Sequence, residues 1–213
     1  MKKSPLYEII TESAEKKILV FKKDDYLFHE NEASNGVYFV ITGKVKIIKN
    51  ENQPVQTILY LVKPGDVLGI HAVINEHSYT SSAVALVNTS VCFVPAKEFQ
   101  NLINYNNKHK LSVMQLLCSN IDIIESKITS RTERTAGERF AELLVLLADT
   151  YGLTKENELK IELNLDDLAS LTGASKGYLS KIITEFCLKE WISIKGNAIK
   201  ILALDCLEKE AKL

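Results

Sequence analysis

The stretch NLDDLASLTGASKGYLSKIITEFCLKEW, residues 164–191, decides the reading of this chain. Asn164 can cap a first helix, Asp167 three residues on completes an approximate capping box, and Leu165, Leu168, Ala169 and Leu171 give that helix an apolar side. Gly173 then stops it. Ser175 is placed to cap a second helix, in which Leu179, Ile182, Ile183 and Phe186 fall at i, i+3, i+4 and i+7 and share one buried face. The other face carries Lys176, Gly177, Tyr178, Ser180, Lys181 and Thr184 and is free to enter a major groove.

Residues 191–195 (WISIK) and 198–202 (AIKIL) alternate apolar and polar side chains around Gly196-Asn197, which is a hairpin signal. Two helices followed by a hairpin make a winged helix, and Lys195 and Lys200 on the hairpin can reach DNA phosphates beside the groove. The candidate contacts to double-stranded DNA are therefore Ser175, Lys176, Gly177, Tyr178, Ser180, Lys181, Lys195 and Lys200.

The chain has 213 residues, 46 % of them apolar, with 26 Lys+Arg against 27 Asp+Glu. That length holds two small domains or one large one, and the balanced charge gives no global pull toward nucleic acid or membrane, so DNA binding must rest on a focused patch. Lys2-Lys3 is followed by Ser-Pro-Leu-Tyr-Glu and not by an apolar run, and no stretch reaches transmembrane length. The expectation is a cytoplasmic protein with no membrane partner. Cys92, Cys118, Cys187 and Cys206 are far apart among apolar residues, as buried thiols are, so no metal or cofactor is expected. His29, His71, His77 and His109 form no His-x-His pair, which argues against a cupin-like metalloenzyme. With no Gly-rich phosphate loop and no nucleophile elbow, the chain does not read as an enzyme.

Ser4-Pro5 opens a short helix to about Lys17. From Phe21 to about Phe99 short alternating runs follow, at 26–28, 37–41, 44–48, 57–62, 82–87 and 90–94, separated by turns at Asn35-Gly36, Thr42-Gly43, 50–53 and 64–66. Such spacing predicts a sandwich or barrel of the jelly-roll kind, a fold that encloses pockets. Between residues 108 and 131 the period becomes helical. Met114, Leu117, Ile121, Ile124 and Ile128 are spaced 3, 4, 3, 4, the seam of a coiled coil and of a symmetric dimer. Part of that stripe can instead pack on its own barrel.

Barrel, long helix and winged helix in that order resemble the Crp/Fnr family of bacterial transcription regulators over essentially the whole chain. The residues that carry the resemblance are GVYFVITGKVKIIK at 36–49, Pro64-Gly65-Asp66, and GERFAELL at 137–144 leading into 166–182. It implies an α+β fold: an N-terminal double-stranded β-helix (jelly-roll) effector barrel over 1–107, a dimerisation helix and hinge over 108–135, and a winged helix over 136–213. It also implies a homodimer on palindromic DNA, RNA polymerase as a partner, and a small-molecule effector whose binding reorients the recognition helices.

At the effector site the match breaks. Members that bind cyclic nucleotides hold the ribose with a Glu after the Gly-x-x-x-Gly turn and the phosphate with an Arg before a Ser/Thr-Ala pair. Here Gly65 to Gly69 is followed by Ile70 and His71, and the later element is Tyr79-Thr80-Ser81-Ser82-Ala83. A phosphate without its cation keeps its desolvation cost and loses a charge-assisted contact, so cyclic AMP is not the expected effector. The pocket candidates are Gly69, Ile70, His71, Tyr79, Thr80, Ser81, Ser82 and, from the long helix, Ile124. Two other outcomes stay open: a regulator with no effector at all, and a haem-based sensor using His71 or His77. With no cysteine before Cys92, the family's N-terminal iron-sulfur cluster is excluded.

Overall fold

In the computed structural model, which describes residues 6–53 and 56–212, helix α1 (Tyr7–Glu12) leads into short strands. These are β1 (Lys17–Phe21), β2 (Tyr26–Phe28), β3 (Gly36–Thr42), β4 (Val45–Lys49), β5 (Thr57–Val62) and β6 (Val67–Leu68), then, after helix α2 (Ile70–Ile74), β7 (Ser82–Ala85) and β8 (Thr89–Pro95). They form two antiparallel sheets in the orders β1-β8-β3-β6 and β2-β7-β4-β5, a jelly roll. One core lies inside the roll, built on Phe28, Tyr38, Val40, Val45, Ile47 and Val91. A second lies on the outer face of the first sheet, where Val37, Phe39, Cys92 and Val94 meet Ile9 of α1 and Phe99 of α3 (Ala96–Tyr105). Strand β3 is thus buried on both faces, which is why it reads as a continuous apolar run.

Two local expectations change. The helix read to about Lys17 ends at Glu12, and its expected opening at Ser4-Pro5 lies outside the described residues. Lys17 instead begins β1, which pairs with β8 from Lys17↔Phe93 to Phe21↔Thr89 and brings Leu19 and Phe21 against the inner core. Tertiary pairing overrides the local helical preference there. Gly36, read as a turn residue, opens β3. A Cβ on it would sit 2.4 Å from the Val94 carbonyl oxygen, so the sheet closes only over glycine.

Helix α4 (Asn107–Glu133) follows, and the chain divides into two compact units, residues 1–123 and 124–213. Val113, Leu116 and Leu117 of α4 join the outer core of the first unit. Leu117, counted in the coiled-coil seam, therefore turns half inward, because the sheet beneath supplies an apolar surface that the sequence period does not reveal. Met114, Ile121, Ile124 and Ile128 are each 54–61 % exposed.

The second unit continues with α5 (Ala136–Tyr151), α6 (Leu165–Thr172), α7 (Lys176–Leu188), the hairpin β9 (Ile192–Lys195) and β10 (Ala198–Ile201), and α8 (Leu204–Glu210). Thr135 and Glu138 form a reciprocal capping box at α5, and Asn164 Oδ1 accepts the Asp167 N–H at 2.8 Å to cap α6. Gly173 (φ 68, ψ 37) ends α6 in a Schellman turn, with Gly173 N–H bonded to Ser170 O and Ala174 N–H to Ala169 O. Leu179, Ile182 and Phe186 anchor α7, while Ile183 is only half-buried. Phe186 lies 5.6 Å from the Phe140 ring and meets Trp191 edge-on at 5.0 Å, which ties α5, α7 and the wing into one core.

Candidate functional site

Three residues, Gly173 to Ser175, connect α6 to α7, and the Ser175 hydroxyl accepts the Tyr178 N–H at 3.3 Å. With Leu179, Ile182 and Phe186 inward, Lys176, Gly177, Tyr178 and Lys181 stand in solvent, and Ser180 is half-buried. A Cβ at Gly177 would meet nothing within 4 Å, so packing does not require glycine there, and its absence leaves the helix surface low and open. Lys176 is not free. Its Nζ is ion-paired to Asp166 at the start of α6, a partner the sequence reading did not name. Both side chains are exposed, so the pair is worth at most about 1 kcal/mol, and a phosphate can displace the carboxylate. On the wing, Lys195 is exposed and Lys200 half-buried, with an isolated backbone bridge pairing Lys200 to Glu158.

The barrel pocket is small. Phe28, Ile47, Tyr60, Leu68, Gly69, His71, Tyr79, Thr80 and Ser81 line about 20 Å³, room for one water. Tyr79 is what fills it. At 2 % exposure its ring stacks on Phe28 with centroids 4.0 Å apart, and its hydroxyl lies 2.7 Å from Gly36 O and 2.9 Å from Asn35 Oδ1 while accepting the Gly36 N–H at 3.2 Å. Burial holds the Tyr79 phenol above the usual tyrosine range, so it stays neutral and donates. Gly69 (φ +83) makes room for this ring: a Cβ there would sit 2.9 Å from Gly36 O and 3.0 Å from the Tyr79 ring. His71 Nε2 pairs with Thr80 Oγ1 at 3.1 Å, and desolvation lowers the His71 pKa, which keeps the imidazole neutral at pH 7.

Of the sequence-derived pocket residues, Gly69, His71, Tyr79, Thr80 and Ser81 come together here. Ile70 turns into the outer core instead, since α2 begins at that residue. Ser82 is buried but faces the loop after β4, where its hydroxyl bonds Glu51 and accepts the Glu30 N–H at 2.7 Å. Ile124 belongs to the second compact unit and is exposed. Phe28, Ile47, Tyr60 and Leu68 were missed. They sit on four separate strands, and nothing local marks them as lining. Among the described residues no group of His, Cys, Asp and Glu is arranged to hold a metal, and no helix is long and apolar enough to cross a membrane.

Residues 18–106 match the cyclic nucleotide-binding domain family, and residues 138–210 match the Crp-like helix-turn-helix domain family. Over 90 % of this chain and 87 % of the relative, the sequence is 22 % identical to the "CRP-like cAMP-activated global transcriptional regulator" of Mycobacterium tuberculosis. It is 24 % identical to the "Transcriptional activator protein Anr" of Pseudomonas protegens over 85 % of this chain and 75 % of that protein. The fold is that of FixK2 from Bradyrhizobium japonicum, with a TM-score of 0.78 at 19 % identity over 91 % of this chain and 96 % of the other.

Tyr79→Phe keeps the stacked ring and deletes the hydroxyl, leaving the buried Gly36 groups without their partner. The barrel should lose about 1–3 kcal/mol of stability in urea unfolding followed by far-UV circular dichroism. Trp191, the single tryptophan, lies in the other unit, so its fluorescence transition should not move. A barrel loss below about 0.5 kcal/mol, the ordinary scatter of a surface substitution, would show the hydroxyl to be incidental.

Proposed function

This chain belongs to the Crp/Fnr family of transcription regulators, and on that premise we propose that it binds palindromic DNA as a homodimer and reads each half-site with α7. It is a DNA-binding regulator with a sensor-type barrel and not an enzyme. The observation that carries the proposal is α7 itself: capped by Ser175, anchored by Leu179, Ile182 and Phe186, and exposing Lys176, Gly177, Tyr178 and Lys181. Lys can donate to guanine O6 or N7 but lacks the fork of Arg, so one hydrogen bond per lysine is the natural base contact. Residues 1–107 form the sensor, 108–135 the dimer helix and hinge, and 136–213 the DNA-binding domain. RNA polymerase and a cytoplasmic setting belong to the same proposal.

Dimerisation rests on Met114, Ile121, Ile124 and Ile128, whose exposure is costly at about 1.5–3 kcal/mol for each side chain that a partner helix would bury. A twofold protein then presents its two recognition helices about one DNA turn apart.

The Mycobacterium relative is named as activated by cyclic AMP. We propose that this chain does not respond to it. The Glu and Arg used by nucleotide-binding members are replaced, and Tyr79 fills the space; the same 20 Å³ is far too small for a haem beside His71. The small space left beside Tyr79 favours a second reading, that the dimer binds DNA without any effector. Purified protein that binds promoter DNA only after a small molecule is added would exclude it.

Replacing both Ile121 and Ile124 with Asp should give monomers in sedimentation and weaken DNA binding; a double mutant that stays dimeric means the seam is elsewhere. In calorimetry neither cyclic AMP nor cyclic GMP should bind with Kd below about 10 μM, roughly −7 kcal/mol, and saturation below that level would refute the effector argument. Lys181→Ala should lower affinity for the cognate palindrome by about 1–3 kcal/mol and relax base preference at one position per half-site. Lys195→Ala should weaken all sequences alike and reduce the salt slope. Selection from a random library separates the two, and unchanged preferences in Lys181→Ala would reduce Lys181 to a phosphate contact.

A further inference from the structure

The end of α6 poses an accounting problem. The last four carbonyls of a helix have no partner within it, and the Schellman turn at Gly173 satisfies only those of Ala169 and Ser170. The last of the four, on Thr172, and the carbonyl of Gly173 just past it are taken by a side chain from another helix. Arg139 of α5 donates from Nε to Thr172 O at 2.8 Å and from Nη2 to Gly173 O at 3.4 Å, while its Nη1 donates to Arg134 O at 2.5 Å. The last turn of α6 holds no basic residue, so Arg139 also brings positive charge to the negative end of that helix from outside it.

We propose that Arg139 is the positioning residue for DNA recognition in this chain: it clamps the α6–α7 turn to the end of α4 and so sets the approach of the recognition helix. The proposal rests on the DNA-binding reading above. Helix α7 is held on its inner side by apolar contacts at Leu179, Ile182 and Phe186, which resist separation but are non-directional and tolerate rocking. Its N-terminal end, Ser175 to Tyr178, extends beyond the first of these anchors. Just upstream, the Ala174 N–H is bonded back to Ala169 O within α6's own turn, and the directional bonds that tie this turn to a different helix are those of Arg139 to the carbonyls two and three residues before Ser175. Thr172 adds no tie of its own, since its buried hydroxyl finds no partner among the described residues. Groups that read a base edge must be held to within about 0.5 Å, and a planar guanidinium with three fixed N–H directions supplies that restraint where a flexible ammonium would not.

Its other end makes the clamp more than a cap. Arg134, whose carbonyl Arg139 holds, donates from its own Nη1 to Ala211 O at 2.6 Å and pairs with Glu142 Oε1 at 3.2 Å; Glu142 Oε2 accepts from Ser130 at 2.6 Å. The polar string therefore runs from Ser130 on α4 through Glu142, Arg134 and Arg139 to the turn of the helix-turn-helix. Among the described residues, Arg139 sends all three of its hydrogen bonds to the protein's own backbone. It thus differs in kind from Lys181 or Lys195.

The test uses the full chain and the duplex that wild type selects from a random library, alongside an unselected random duplex. If wild type selects and binds no DNA, the DNA-binding reading falls before any variant is made. Given binding, Arg139→Ala should weaken the selected duplex by about tenfold or more, about 1.4 kcal/mol, and the unselected duplex by less. Measurements are made where Trp191 fluorescence shows the unit folded, and the salt slope should be that of wild type. Arg139→Lys, which keeps the charge and can reach one carbonyl at a time, should recover only part of the affinity. A salt slope smaller by about one charge would make Arg139 a phosphate contact, and either wild-type affinity in a folded Arg139→Ala or full recovery in Arg139→Lys would overturn the clamp. Should the alanine variant not fold, the lysine variant decides by the same measurement, its partial loss at unchanged salt slope supporting the proposal and its wild-type affinity ending it.

Discussion

Burial of Leu179, Ile182 and Phe186 beneath α7 governs what the second unit can do. Those three side chains occupy one helix face because their spacing matches the helical period, and their removal from water is worth about 1.5–3 kcal/mol each. The tilted contact of Phe186 with Phe140 and its edge-on contact with Trp191 extend that burial into α5 and the wing. Because the apolar face is engaged, the opposite face of α7 is left to Lys176, Gly177, Tyr178 and Lys181, all exposed. The two lysines there are held differently: Lys176 by an exposed carboxylate that a phosphate can displace, Lys181 by no ion pair with a neighbouring acid among the described residues.

The same physics acts in reverse on α4. Val113 and, in part, Leu116 and Leu117 find cover on the outer face of the first sheet, but past them Ile121, Ile124 and Ile128 each stay more than half exposed. A long helix with one apolar side is incomplete alone. The proposed dimer rests on that exposed stripe, and the proposal thereby ties oligomeric state and DNA reading to one set of isoleucines.

In the barrel, apolar packing and hydrogen bonding act together to close the space where a small molecule would sit. A ligand entering there has to displace a stacked, hydrogen-bonded phenol, and the fraction of molecules with Tyr79 withdrawn multiplies directly into its apparent affinity. Gly36 and Gly69 are part of this arrangement, since a methyl group at either would collide with the Val94 carbonyl or with the Gly36 carbonyl and Tyr79. The barrel thus keeps the frame of a sensor while its interior is occupied by the chain itself.

What the sequence determined by itself was whatever depends on neighbours within a few residues. The Asn164 and Ser175 caps, the Gly173 stop, the inward spacing of α7, the Gly196-Asn197 hairpin and the alternating strands are all readable from periods of 2 and 3.6 and from the chemistry of caps and turns. Strand β1 escaped because Ile18 and Val20 are apolar on its exposed side, which erases the alternation, and α2 escaped because five residues are too few to show a period. Tertiary structure decided the rest: that Leu117 turns inward while Met114 does not, that Lys176 meets Asp166, that Tyr79 fills the pocket, and that Arg139 holds the turn. The last two join groups 43 and 33 residues apart. A hydrogen bond between such distant groups leaves no trace in local periodicity, because it exists only once packing has brought the two segments within about 3 Å.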